Sequence, residues 1–192
     1  MNETLMNSLE PGEKLLWTAG VEPFETLDRT HKKIFTNKLI TAIAVALVFT
    51  VAYVIFAVQQ HMSVNLIMLL IVYALAAIGP SNLLADGKRL KKISYAVTDR
   101  RLLAFRDSAY AVGLDQIHTG AFRKDADGHV SLLLGRDGLK VKPHKWRETA
   151  LVGRDVEDEG AGECLRWALY APADLEGLKA VLKEKLPFLT EE

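Results

Sequence analysis

Cysteine is nearly absent from this chain. The single Cys164 excludes an intramolecular disulfide, and one thiol without a second Cys makes no cysteine metal cluster. Net charge is absent too, with 24 Lys and Arg against 24 Asp and Glu. Residues 86 to 192 hold 19 basic and 18 acidic side chains, so no basic field points to nucleic acid. There is no His-Glu-x-x-His, Cys-x-x-Cys, Gly-x-Ser-x-Gly, Walker loop or Gly-x-Gly-x-x-Gly, and no internal repeat or low-complexity tract. Without those spacings neither a metal, a cofactor nor a catalytic centre is expected, and the chain reads as non-enzymatic.

The most informative absence is local. Leu39 to Val58 is twenty residues without one charged side chain, and after Gln59 to Ser63 the chain is again uncharged from Val64 to Ala85. Hydrocarbon about 30 Å thick needs about 20 helical residues, and a segment in lipid must satisfy its own backbone hydrogen bonds. Two spanning helices, about 39–58 and 64–85, are therefore expected. The alternative, a helical hairpin buried in a soluble protein, would carry a polar stripe, and the first run offers only Thr41 and Thr50. A signal peptide does not fit a stretch that starts near residue 39, is too long for a signal core and is followed directly by a second. Gly79, Pro80, Ser81 and Asn82 predict a kinked or interfacial end to the second helix.

Charge sets the orientation. Arg29, Lys32, Lys33 and Lys38 precede the pair, Lys88, Arg89, Lys91 and Lys92 follow it, and the loop at 59–63 has no Lys or Arg. The positive-inside rule places both termini in the cytoplasm. Three parts result: an N-terminal cytoplasmic segment 1–38, a transmembrane hairpin 39–85 and a cytoplasmic domain 86–192. With about eight residues between the second helix and Tyr95, the domain is expected to lie close to the membrane. Ala42, Ala46 and Thr50 form a small-residue strip suited to close helix packing, against the second helix in preference to another copy; homo-oligomerisation stays open.

From Ile93 the helical period gives way to short β-favouring runs: 93–98, 101–105, 109–113, 119–124, 129–134, 139–142 and 165–170. Gly135-Arg136-Asp137-Gly138 is one of the intervening turns, and Asp155 to Gly162 is an acidic, glycine-rich loop. Pro172 and Asp174 then open a helix whose Leu175, Leu178, Val181, Leu182 and Leu186 recur at three- and four-residue steps until Pro187.

Leu9-Glu-Pro11-Gly12-Glu13-Lys-Leu-Leu-Trp17, then two hydrophobic helices, then Tyr95-Ala-Val-Thr98-Asp99-Arg100-Arg101-Leu-Leu103, resembles the bacterial pleckstrin-homology-like family of membrane-anchored proteins. Val112 to Ile117 resembles that family's link before the fourth strand. The resemblance implies an α+β membrane protein in which the hairpin is followed by a pleckstrin-homology-like, seven-stranded bent barrel or sandwich capped by a C-terminal helix. The absence of catalytic spacings and the short tether, together with that architecture, lead to the expectation of a non-enzymatic interaction module of the bacterial cytoplasmic membrane that scaffolds a membrane protein complex or assists its assembly or regulation. Phosphoinositide reading does not carry over, because Thr98-Asp99-Arg100 is a tight turn with an acidic member where that mode needs a long basic loop.

The motif residues also have local physical roles. Thr98 and Asp99 can hydrogen-bond turn amides, Arg100 or Arg101 can pair with a carboxylate, and Trp17 is either a headgroup-level belt residue or an anchor packed on the domain. The candidate contact surfaces are Lys140, Lys142, His144, Lys145, Trp146 and Arg147, with the two lysines alternating onto one strand face, and the acidic loop Asp155 to Glu159. The expected partner is a protein; the competing ligand of the basic stretch is anionic lipid. A solvated edge strand explains the same residues.

Overall fold

The computed structural model describes residues 3–106, 109–151 and 165–191 and divides into two compact units. One comprises residues 1–25 together with 86–192, and the other residues 26–85. This differs from the expected three-part division. The first 25 residues belong to the β-unit, so the hairpin interrupts that unit in sequence.

In chain order the elements are α1 (Glu3–Ser8), β1 (Leu15–Gly20), α2 (Arg29–Gln59), α3 (Leu66–Leu90), β2 (Ser94–Thr98), β3 (Arg101–Phe105), β4 (Ala109–Gly113), β5 (Gly120–Lys124), β6 (Val130–Leu134), α4 (Arg136–Leu139), α5 (Trp146–Thr149), β7 (Trp167–Leu169), α6 (Leu175–Lys185) and β8 (Thr190–Glu191).

In the second unit, Asp28 caps α2 by accepting the His31 amide at 2.7 Å, and Asn65 accepts the Ile67 amide at 2.9 Å at the start of α3. Both helices are long and apolar enough to cross a membrane, and only 6% of the most apolar stretch of each is buried within the chain. Both outrun their apolar runs. α3 continues through Pro80 to Leu90, so the expected end at Gly79 to Asn82 does not occur; Ser81 Oγ donates to the Ala77 carbonyl there. Ala46 is buried, and Thr50 Oγ1 lies 3.4 Å from Tyr73 Oη, so the small-residue strip meets the second helix of its own hairpin.

The β-unit holds two four-stranded sheets, ordered β1-β2-β3-β4 and β7-β6-β5-β8. Tyr95, Val97, Leu102, Leu132, Leu134, Trp167 and Leu169 share the core between them, with Leu178 and Leu182 of α6. The other face of the first sheet is covered as well. Leu5 of α1 packs with Ala96, Leu103 and Phe105, which is why β2 and β3 are buried along almost their whole length instead of alternating. At one corner the sheets are joined by a Val21–Pro172 bridge, by the Glu22 amide donating to Ala171 O (2.7 Å) and by the Ala173 amide donating to Gly20 O (2.9 Å).

Five of the expected strands occur close to where the turn residues place them. β7 is shorter than expected, and β1 and the two-residue β8, parallel to β5, are additions. The expected strand at 139–142 is not formed. Gly135 ends β6 with φ +77°, where a Cβ would collide with the Leu165 carbonyl, and the chain turns into α4 with the Leu139 amide bonded to Gly135 O at 3.0 Å. Val141 is buried and Leu139 packs against the core, so the alternation with Lys140 and Lys142 marks a turn with two inward anchors.

Candidate functional site

The two motifs that carry the family resemblance meet in space. Trp17 and Thr18 pair with Val97 and Ala96 across the β1–β2 ladder. Just before β1, the Glu13 carboxylate is engaged from several sides: Arg101 Nε donates to Oε1 (3.0 Å), Arg101 Nη2 to Oε2 (2.5 Å), Thr98 Oγ1 to Oε1 (2.7 Å) and the Glu10 amide to Oε2 (2.8 Å). Its side chain has no exposed surface. The Arg101 guanidinium is the chief reason that the Glu13 carboxyl is pushed down to about 2, against the opposing effect of burial. Arg101 also pairs with Glu10 at 3.1 Å and donates to Ser8 O at 3.2 Å. Asp99 exchanges two bonds with Lys14, its carboxylate accepting the Lys14 amide at 2.9 Å and its own amide donating to Lys14 O at 3.0 Å. Pro11 and Gly12, at φ +81°, form the turn that brings Glu13 round. Arg100 is exposed and donates its amide to Thr98 Oγ1. These residues form a structural lock.

Trp17 is an anchor packed on the domain. It is buried, and its Nε1 donates to Asp174 Oδ2 at 2.9 Å, the same carboxylate that caps α6 through the Gly177 amide at 3.0 Å. Tyr95 joins the sheets, its hydroxyl accepting the Tyr170 amide at 3.1 Å.

The 140–147 stretch does not present one surface. Lys140, Lys142 and Lys145 are exposed and His144 is half-buried, but Trp146 and Arg147 are turned inward. Trp146 Nε1 donates to Val141 O at 3.0 Å, which fixes the indole inside the fold. The Arg147 guanidinium lies 4.3 Å from the Phe24 ring centre and 5.2 Å from that of Tyr170. Two aromatic faces accept the cation away from water, a cation–π arrangement. These two residues are therefore removed from the contact surface.

Sequence reasoning missed the cluster that Arg147 completes. Phe24 stands edge-on to Tyr170 at 5.4 Å, Lys91 Nζ approaches Phe24 at 5.1 Å, and His129 Nδ1 lies 3.3 Å from Glu22 Oε2. Tyr170 Oη donates to Asp125 Oδ2 at 3.2 Å, and burial pushes the phenol upward, so it stays neutral. Phe24 is almost the last residue before the chain leaves this unit, and Lys91 lies shortly after its return at Asp86. An aromatic residue beside a Pro gave little sign of this.

A second group was also missed. Lys140 Nζ bonds Asp137 Oδ1 at 2.7 Å, and Arg136 and Arg166 are exposed beside them. Lys140 first, then Arg136 and Arg166, hold the Asp137 carboxyl below its ordinary value. Among the described residues, no three His, Cys, Asp or Glu side chains converge as metal ligands would. The acidic loop at 155–162 lies outside the described residues. Comparisons with protein-family models, with curated proteins and with solved structures found no match to this chain.

Proposed function

We propose that this chain is a non-enzymatic interaction module anchored in the bacterial cytoplasmic membrane, with both chain ends cytoplasmic and a pleckstrin-homology-like domain offered to a protein partner in a membrane complex. The observation that carries the reading is the place of the hairpin: it leaves the domain after β1 and returns before β2, two strands that pair with each other. An anchor inserted in this way is joined to the domain at two points of the chain, one beside each strand of the β1–β2 ladder. Two sheets joined at one corner by the Val21–Pro172 bridge, with α6 packed on their core, support the pleckstrin-homology-like architecture. Long helices with so little of their apolar surface buried in the chain support the membrane assignment, because exposing that much hydrocarbon to water is strongly unfavourable.

Protein binding is favoured over anionic lipid by the inward turn of Trp146 and Arg147. Without them the stretch keeps lysines but loses the aromatic that would seat in the headgroup region. Purification of the full chain from its own membranes in mild detergent should retain a protein in fixed ratio to it. Recovery of the chain with lipid alone would contradict the reading.

A further inference from the structure

Two charged groups of the domain are candidates to meet the partner, and they lie at opposite ends of β6. At its start, His129 belongs to the cluster with Glu22, Phe24 and Tyr170, beside the points where the chain departs to and returns from the hairpin. At its end, Gly135 opens the α4 turn, where Leu134 pairs with Trp167 and the Gly138 amide donates to Leu165 O at 3.3 Å. A Cβ on Gly138 would stand 3.8 Å from the Arg166 Cα, so Arg166 and the α4 turn are neighbours. From His129 to Gly135 is six extended steps, about 20 Å. The Debye length in cells is about 8 Å, so a charge group at the far end acts independently of the charges in the near cluster.

Three exposed cations thus belong to the α4 turn and its neighbour, at the end of the domain remote from the chain crossings: Lys140, bonded to Asp137, Arg136 next to Asp137 in the chain, and Arg166 beside the turn. Resting on the reading as a membrane-anchored module, we propose that this group is the docking surface for an acidic segment of a cytoplasmic protein partner. Two guanidinium groups supply paired donors that match carboxylates, and the bond to Asp137 holds the lysine in place. Lys142 and Lys145 are not required for this contact.

Photo-crosslinking in native membranes tests the proposal, with p-benzoylphenylalanine replacing the exposed Lys142, two residues beyond Lys140 and not itself part of the group, in the full chain and, separately, Glu184 on the exposed face of α6. The expected product at 142 is an adduct to another protein, mapped by mass spectrometry to a peptide of net negative charge. Its yield should fall about fivefold or more in Arg136→Glu/Arg166→Glu, and to a similar degree in Arg136→Gln/Arg166→Gln, as expected for loss of complementary interface charges. A lipid adduct, an adduct to the chain itself, a neutral or basic peptide, or a yield unaffected by the substitutions would overturn it. Protein adducts at 184 without any at 142 would overturn the surface and leave the module reading standing; adducts at neither would overturn both.

Discussion

Glu13 and Arg101, 88 residues apart in sequence, form a two-point ion pair that joins the segment before β1 to the start of β3. Between them in the chain lies the whole apolar hairpin, so the pair holds together two pieces of one domain that an insertion of 60 residues, 26 to 85, separates. The Glu13 carboxylate also takes the Thr98 hydroxyl, so removing it leaves Arg101, among the described residues, with only Glu10 and the Ser8 carbonyl and Thr98 with the Arg101 carbonyl.

Glu13→Gln should therefore destabilise the domain by about 1–3 kcal/mol, the range for losing the charge of a shielded, charge-assisted hydrogen-bond acceptor. Urea unfolding of the full chain in detergent micelles checks this. Arg101→Met should cost a similar amount, and the double variant much less than the two together.

The pH dependence follows from the same pair. Glu13 is held down to about 2 in the folded chain against 4.5 ordinarily, so its contribution is present above about pH 4.5 and is lost as pH falls toward 2. Wild-type stability measured over that interval should fall more steeply than that of Glu13→Gln; parallel curves would remove the pair from the account.

Asp174 serves both Trp17 and the first turn of α6. Asp174→Ala should cost about 1–2 kcal/mol from the cap alone and more with the indole left without an acceptor. Trp17→Phe should cost less in the Asp174→Ala background than in wild type, a coupling that a double-mutant cycle reads directly.

Tyr95→Phe removes the acceptor of the buried Tyr170 amide and should destabilise by about 1–3 kcal/mol. Loss of protection at the Tyr170 amide in hydrogen exchange, without loss at Leu132 in the middle of β6, would localise the effect to the joint between the sheets.

Much of this arrangement is legible in residue order. The uncharged runs announce the helices, Asp174 and the leucine spacing announce α6, and the turn residues announce β2 to β6. β1 is not legible, because its partner β2 follows the hairpin and Trp17 meets Val97 only in three dimensions. α1 escapes for the same reason: its apolar face shows its purpose only once a sheet face lies beneath it. Leu139 to Lys142 misleads because four residues of alternation fit a turn as well as a strand, and the deciding feature is the close approach of Gly135 to Leu165. Arg147 misleads because a basic residue in a basic stretch reads as surface, whereas Phe24 and Tyr170, distant in sequence, supply a buried place for it.

Labelling by a membrane-impermeant maleimide tests most directly the proposal of a two-span anchor inserted into a domain whose two parts lie on one side of the membrane, using single cysteines at Met6, His61 and Glu184 in a Cys164→Ser background, with the cytoplasmic membrane intact and its outer face accessible. Labelling is expected at position 61, with protection at 6 and 184 until that membrane is opened. Protection at 61, or labelling of either 6 or 184 with that membrane intact, would contradict it.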